Sequence, residues 1–270
     1  MEIKSRVFFS DNVAGARLEL GIHGLVRADR DWHAEGMTIP YSKLYLVMDG
    51  EAFLRCAGKL TVLEAGHAYL VPYGALHDFY CETQMEKLYF HFAAPRPGGA
   101  DLFSGVSDVR STPVSRQRLE RMKEMYLSDD VGALYGLKGE LFSFASEFKK
   151  IYGIGEEPEP HYSDTVTAAV TFIRHNVSQA LCLSKLSEKL FVSESTLSKR
   201  FSREMGMSVG QFIDREVMTE AQRRLLLSDE PLSVISERLG FCDQFYFSKK
   251  FRAYCGVSPS RYRASRRSGI

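Results

Sequence analysis

Two groups of side chains have types and spacings that could do recognition chemistry. Toward the C-terminus, about 100° per residue on a helical wheel puts Ser195, Ser198, Lys199 and Ser202 opposite the apolar pair Leu197 and Phe201. About fifty residues later Gln244, Phe245, Ser248, Lys249 and Arg252 stand opposite Phe247 and Phe251 in the same way. Small hydroxyls, an amide and a lysine on a helix ~10–12 Å wide match the edges of bases in a major groove, where Lys meets guanine O6/N7 and Gln meets adenine N6/N7. One such face alone would read as a solvated surface; two registered copies argue against that. Phe245 is the sharpest local clue, because an aromatic side chain on an exposed face needs a thymine methyl, a neighbouring subunit or a core contact. In the N-terminal half, Trp32, His33, Tyr45, His77, Tyr89 and His91 are the nearest set of aromatic faces and polar groups for a small-molecule cavity. Trp32 could stack on a sugar or simply pack in a core. His77 with His33 or His91, and Glu35 nearby in sequence, could supply metal ligands, but nothing in the spacing makes them converge.

The elements that must position the first group repeat. Leu183-Ser-Lys-Leu-Ser-Glu-Lys-Leu190 aligns with Leu232-Ser-Val-Ile-Ser-Glu-Arg-Leu239 at an offset of 49, and Leu197-Ser-Lys-Arg-Phe201 aligns with Phe247-Ser-Lys-Lys-Phe251 at 50. Each unit reads as a short helix, a turn and a second helix. Ser184 and Ser193 are expected to cap the first pair, Ser233 and Asp243 the second, with Gly206 and Gly256 closing the second helices. One long helix over 209–227 joins the units, and another over 164–176 precedes them. The second group sits among short β-rich runs at 43–48, 51–56, 59–63, 68–71 and 87–92, with Asp49-Gly50 and Ala57-Gly58 as hairpin turns, a pattern of sandwich or barrel. Helical stripes follow: Leu119, Met122 and Met125/Tyr126, then Leu134, Leu137, Leu141, Phe144/Ala145 and Phe148. They either cover the barrel or form a dimer interface, since patterning cannot name the partner of an apolar face.

Composition agrees with two folded modules. Residues 1–160 carry 18 Lys and Arg against 23 Asp and Glu, a net −5, while 161–270 carry 17 against 11, a net +6. An acidic module fused to a basic one that meets a polyanion is the expectation. The sign changes across a Gly-, Pro- and Glu-rich linker at 153–162. With 44% hydrophobic and 26% charged residues the chain is globular in type, and it holds no run of ~18 apolar residues that would span a bilayer. The start has no apolar signal region, so the cytoplasm is expected. Five scattered cysteines without a CxxC pair indicate neither disulfides nor a zinc ribbon.

The segment 164–263 resembles the AraC/XylS family of bacterial transcription regulators, most specifically in Gly240-Phe-Cys-Asp-Gln-Phe-Tyr-Phe-Ser-Lys-Lys-Phe251 and Gly256-Val-Ser-Pro-Ser-Arg-Tyr-Arg263. The resemblance implies two recognition helices in successive major grooves of double-stranded promoter DNA, half-sites ~10 bp apart. DNA contacts would fall at Ser195, Thr196, Ser198, Lys199 and Arg203, and at Gln244, Phe245, Tyr246 and Lys249. Cys242 and Phe245 stand where the family usually has small or polar residues. The N-terminal half resembles a cupin barrel: Gly66-x5-Pro72-x-Gly74-x2-His77 matches the second cupin motif, but the metal-ligand positions of the first would fall near Gly36–Ile39 and at Lys43, none a ligand. The expected fold class is therefore α+β multidomain: a cupin-like β-barrel with helical dimerisation elements (1–152), then an all-α double helix-turn-helix domain (163–270). No catalytic residue, metal or cofactor is expected. A homodimer would bind a small-molecule effector, a sugar or other metabolite, and work with RNA polymerase away from any membrane. Two alternatives stay open: a ligand-independent DNA-binding dimer, which a filled barrel would favour, and a cupin enzyme fused to a DNA-binding module, which stoichiometric metal would favour.

Overall fold

A computed structural model describes residues 17–96, 100–155 and 162–264. They divide into two compact units, one on each side of 156–161. The expected linker thus lies mostly outside the described residues.

The N-terminal unit is an antiparallel sheet of eight strands: β1 (Glu19–Ala28), β2 (His33–Met37), β3 (Ser42–Cys56), β4 (Lys59–Glu64), β5 (His67–Val71), β6 (His77–Tyr80), β7 (Met85–Ala93) and β8 (Arg110–Pro113). The strand β3 belongs to two layers. Its first part, from Ser42 to Gly50, pairs with β7 and β5 in the layer β1-β7-β3-β5-β8, and its second, from Glu51 to Cys56, pairs with β4 and β6, with β2 beyond. Two expectations are corrected here. Asp49-Gly50 is not a hairpin but a bulge inside one long strand, where the β3–β7 register slips. Gly50 takes φ +71°, and a side chain there would collide with the Gln84 carbonyl. The true hairpin turn is Ala57-Gly58, with φ of 49° and 78°. The sheet is also not a closed barrel: β1 and β8 end the larger layer without pairing to each other.

Strand alternation divides the larger layer chemically. Leu44 and Leu46 of β3, Leu88, Phe90 and Phe92 of β7, and Ala68 and Leu70 of β5 point to one face. There they pack on Leu119 and Met122 of α1 (Arg116–Leu127) and on Leu137, Leu141, Phe144 and Phe148 of α2 (Val131–Ile151). Arg118 ties the two helices, pairing with Glu140 at 2.8 Å and Glu147 at 2.9 Å over the Phe144 ring. The helical stripes therefore cover the sheet, except that Leu134, expected in the stripe, is exposed, as are Val131, Tyr135 and Phe142 of α2.

The C-terminal unit holds seven helices among the described residues: α3 (Asp164–His175), α4 (Leu183–Lys189), α5 (Glu194–Met205), α6 (Val209–Leu227), α7 (Leu232–Arg238), α8 (Gln244–Cys255) and α9 (Pro259–Ala264). Ser193 and Asp243 cap α5 and α8 through Thr196 and Tyr246 amides, and left-handed Gly206 and Gly256 end them. The short helices differ from expectation, because Cys182 and Pro231, not Ser184 and Ser233, occupy their N-cap positions without a side-chain cap. The helix α6, opened by a Ser208–Gln211 capping box and ~28 Å long, holds both units: Phe212 meets Phe201 edge-on, and buried Gln222 donates to Tyr262 Oη at 3.0 Å.

Candidate nucleic-acid interface and sheet interior

The two helix-turn-helix turns are the same structure built twice. Val192 N–H donates to Ser187 O at 3.0 Å in the first, and Phe241 N–H donates to Ser236 O at 3.1 Å in the second. Both turns need a left-handed residue. The second uses Gly240 (φ +75°), packed on Ala180, whereas the first uses Phe191 (φ +53°), which is 95% exposed. From these turns α5 and α8 each bury only two side chains, Leu197 with Phe201 and Phe247 with Phe251.

Most of the remaining positions on α5 and α8 face outward. Ser195, Lys199 and Arg203 are exposed on α5, with Ser198 and Thr196 half-buried; the Thr196 hydroxyl accepts from Ser193 Oγ at 2.8 Å and so belongs to the cap as well. On α8, Gln244, Phe245, Tyr246 and Lys249 are all exposed, Phe245 at 85%. Tyr246 leans on Phe241, with ring centres 5.9 Å apart. Charge pairing separates inner from outer cations. Lys250 is tied to Asp214 at 2.6 Å, Arg174 to Glu216 at 3.3 Å and Arg224 to Glu220 at 2.8 Å. Arg203 pairs with Glu204, but Lys199, Lys249 and Arg252 pair with no carboxylate among the described residues. Unpaired cations beside hydrogen-bonding side chains are what a polyanion with readable edges requires.

The other candidate group lies on the second face of the larger layer. Lys43 and Tyr45 of β3 and Lys87, Tyr89 and His91 of β7 share it, Tyr45 opposite Tyr89 and Lys43 opposite His91, and all are buried. From the smaller layer come His77 and Phe79 of β6, with Trp32 just before β2 stacked on Phe79 at 4.3 Å. His77 Nδ1 sits 2.8 Å from Ala75 O and its Nε2 2.7 Å from Lys43 Nζ. A proton on Nδ1 satisfies both contacts, leaving Nε2 to accept from the ammonium. Burial and the Lys43 charge hold His77 well below the usual histidine value, and burial alone lowers Lys43 to about 7. Lys87 Nζ lies over the rings of Trp32 at 3.6 Å and Tyr45 at 3.9 Å. So Trp32, Tyr45, His77, Tyr89 and His91 come together, and His33 does not: it is exposed, its Nδ1 near Arg30 O. Lys43 and Lys87 went unnoticed in the sequence as site residues, although a lysine between apolar strand neighbours on the face of Tyr45, or of Tyr89 and His91, was the available signal. No group of three or more His, Cys, Asp or Glu that could hold a metal occurs among the described residues.

A helical unit with two registered helix-turn-helix motifs and outward, unpaired cations defines the class: a DNA-binding protein with a double helix-turn-helix. A family model described as "Helix-turn-helix domain" matches residues 186–265, and the chain is 34% identical over 105 residues to the multiple antibiotic resistance protein MarA of Escherichia coli, a match covering 39% of this chain and 83% of MarA. The chain belongs to the AraC/XylS family of DNA-binding transcription regulators. It is also 21% identical over 234 residues to the arabinose operon regulatory protein of E. coli, covering 82% of this chain and 80% of that one. Its fold is similar to that of ToxT from Vibrio cholerae, solved bound to (E)-4-(8-methylnaphthalen-1-yl)but-3-enoic acid, with a TM-score of 0.56 and 13% identity over 91% of this chain and 98% of ToxT. That likeness extends the family resemblance to the β-rich unit as a fold. No helix among the described residues is long and apolar enough to cross a membrane.

Proposed function

We propose that this regulator binds promoter DNA sequence-specifically through α5 and α8 and that a small molecule held by its N-terminal unit controls that binding. The observation that carries the reading is the pair of equivalent helices whose outward faces keep Lys199, Lys249 and Arg252 unpaired while the cations beneath are matched to carboxylates. Ser195, Ser198, Lys199, Gln244 and Lys249 read base edges, while Thr196, Arg203 and Tyr246 set register against phosphates. Phe245, exposed and aromatic, meets a thymine methyl. The two helices are both held on α6, α5 through Phe201 on Phe212 and α8 through Lys250 on Asp214, and half-sites about one DNA turn apart follow one another on one face of the duplex.

Effector binding is placed in the N-terminal unit on two grounds: its inner face carries polar groups that a plain core would not, and ToxT, of similar fold, is described as bound to a small organic acid. Dimerisation is assigned to the outer side of α2, where Val131, Leu134, Tyr135 and Phe142 expose apolar surface. The site of action is the bacterial cytoplasm, with RNA polymerase as the further partner. Binding of the purified protein to a genomic fragment library at near-physiological salt, with and without a pool of metabolites, tests this. Enrichment of a few paired half-sites, altered by one metabolite, is expected; diffuse, strongly salt-dependent binding alone would overturn the sequence-specific part.

A further inference from the structure

The inner face of the β sheet carries a charge imbalance that neither folding nor the DNA-binding reading uses. Lys43 and Lys87 are fully buried there with His77 and His91, and no Asp or Glu among the described residues faces them. Buried lysines are ordinarily paired, because removing an ammonium from water costs several kcal/mol even after relaxation. Here Lys43 has only the His77 ring nitrogen and the Phe79 ring at 5.3 Å, and Lys87 has only ring faces. Cation–π contacts return less than that cost. Unused hydrogen-bonding groups lie beside the lysines on this face: Tyr45 Oη and both nitrogens of His91 are buried with no hydrogen-bond partner, and Lys87 Nζ has none either. Such a cluster is destabilising for the chain alone and becomes favourable once an anion enters.

We infer that this inner face recognises a small organic acid, its carboxylate met by Lys43 and Lys87. The inference rests on the reading that the N-terminal unit binds an effector, and it names the effector's chemical class. A neutral sugar would leave both ammoniums uncompensated. A carboxylate accepts from both lysines, and Tyr45 Oη adds a donor. His77, donating to Ala75 O, keeps its lone pair on Lys43 and acts as a positioning residue. The cluster also predicts a proton linkage. Burial holds Lys43 at about 7, so at pH 8 it is mostly neutral; an adjacent carboxylate favours its charged form. Acid binding at pH 8 therefore takes up protons, and affinity falls as pH rises from 7 to 9. The titratable groups that face Lys43 are Tyr45, Lys87, Tyr89 and His91 on the same layer and His77 from the smaller one, with the Cys81 thiol near Lys87.

The test titrates the full chain with benzoate, hexanoate, their amides benzamide and hexanamide, and arabinose. Binding is followed by calorimetry in two buffers of different ionisation enthalpy and by fluorescence of Trp32, the only tryptophan. The expected result is acid binding at least about tenfold tighter than amide binding, with proton uptake at pH 8, and a further loss of about tenfold or more in each of Lys43→Met and Lys87→Met. Lys87→Met should also raise the unfolding temperature of the ligand-free protein, since it removes an unpaired buried charge, so a failure to fold cannot mimic loss of the site. Equal binding of acid and amide, unchanged affinity in both lysine variants, or no proton uptake overturns the inference. Binding of arabinose without any acid overturns the acid class and leaves the effector reading standing; silence of every probe, with operator binding unaltered by any of them, overturns both.

Discussion

The buried lysines make the stability of the N-terminal unit depend on pH in a way that can be worked out in advance. Lys43 is lowered from 10.5 to about 7 in the folded protein by burial. The unfolded chain therefore binds the Lys43 proton more tightly than the folded one, and stability climbs as pH rises through the interval between those values. Below about pH 7 the penalty is fully present; above about 10.5 it is gone. Between pH 7 and 8.5 the gain from Lys43 alone is roughly 1–2 kcal/mol. In a urea titration followed by Trp32, which is buried beside Lys87, that gain moves the midpoint up by roughly 0.5–1 M at a slope of ~2 kcal/mol per M. Lys87, held well below the usual lysine value by burial and by Lys43, adds a slope of the same sign. The diagnostic quantity is thus the difference between wild type and Lys43→Met, in which that part of the pH gain disappears. Cys56 and Cys81, pushed up by burial, act in the opposite direction at higher pH, and their contribution cancels in that difference. Parallel pH dependences for the two proteins would refute the reasoning, because they would mean that Lys43 is not buried as a titrating group.

Gly50→Ala should destabilise the same unit by at least about 2 kcal/mol, read as a lowered Trp32 urea midpoint, since it adds left-handed strain and a clash with Gln84 O inside β3. Phe191→Gly should raise the thermal stability of the helical unit by about 0.5–1 kcal/mol: it relieves a left-handed aromatic that is 95% exposed and sacrifices little burial. A destabilisation would mean that the ring packs on something. Gln244→Ala and Lys249→Ala should each cost about 1–3 kcal/mol on the preferred operator and far less on random DNA, measured by fluorescence anisotropy; a loss of equal size on both would move that side chain to the phosphate contacts.

The repeated helix-turn-helix was legible in the chain because its determinants are local. Ser193 and Asp243 cap, Gly206 and Gly256 terminate, and Leu197, Phe201, Phe247 and Phe251 mark one side of a 3.6-residue period, all within a few residues and written twice. The outward faces of α5 and α8 followed directly, since the side of a helix opposite its two buried positions meets solvent. Strand alternation likewise put Tyr89 and His91 on one face and Leu88, Phe90 and Phe92 on the other. What alternation could not show was that both faces are buried. One is covered by α1 and α2 and the other by the smaller layer, and that turns Lys43 and Lys87 from ordinary strand lysines into the central charges of the unit. The same limit explains Asp49-Gly50. As a dipeptide it favours a two-residue turn, but here β3 pairs with β5, β7, β4 and β6 along its length, and that sum of cross-strand pairing outweighs the local preference and makes it a bulge. The sequence by itself determined the helical unit, because caps and periodicity act over a few residues; only the tertiary structure decided the interior of the sheet, because burial is settled by elements that meet from distant parts of the chain.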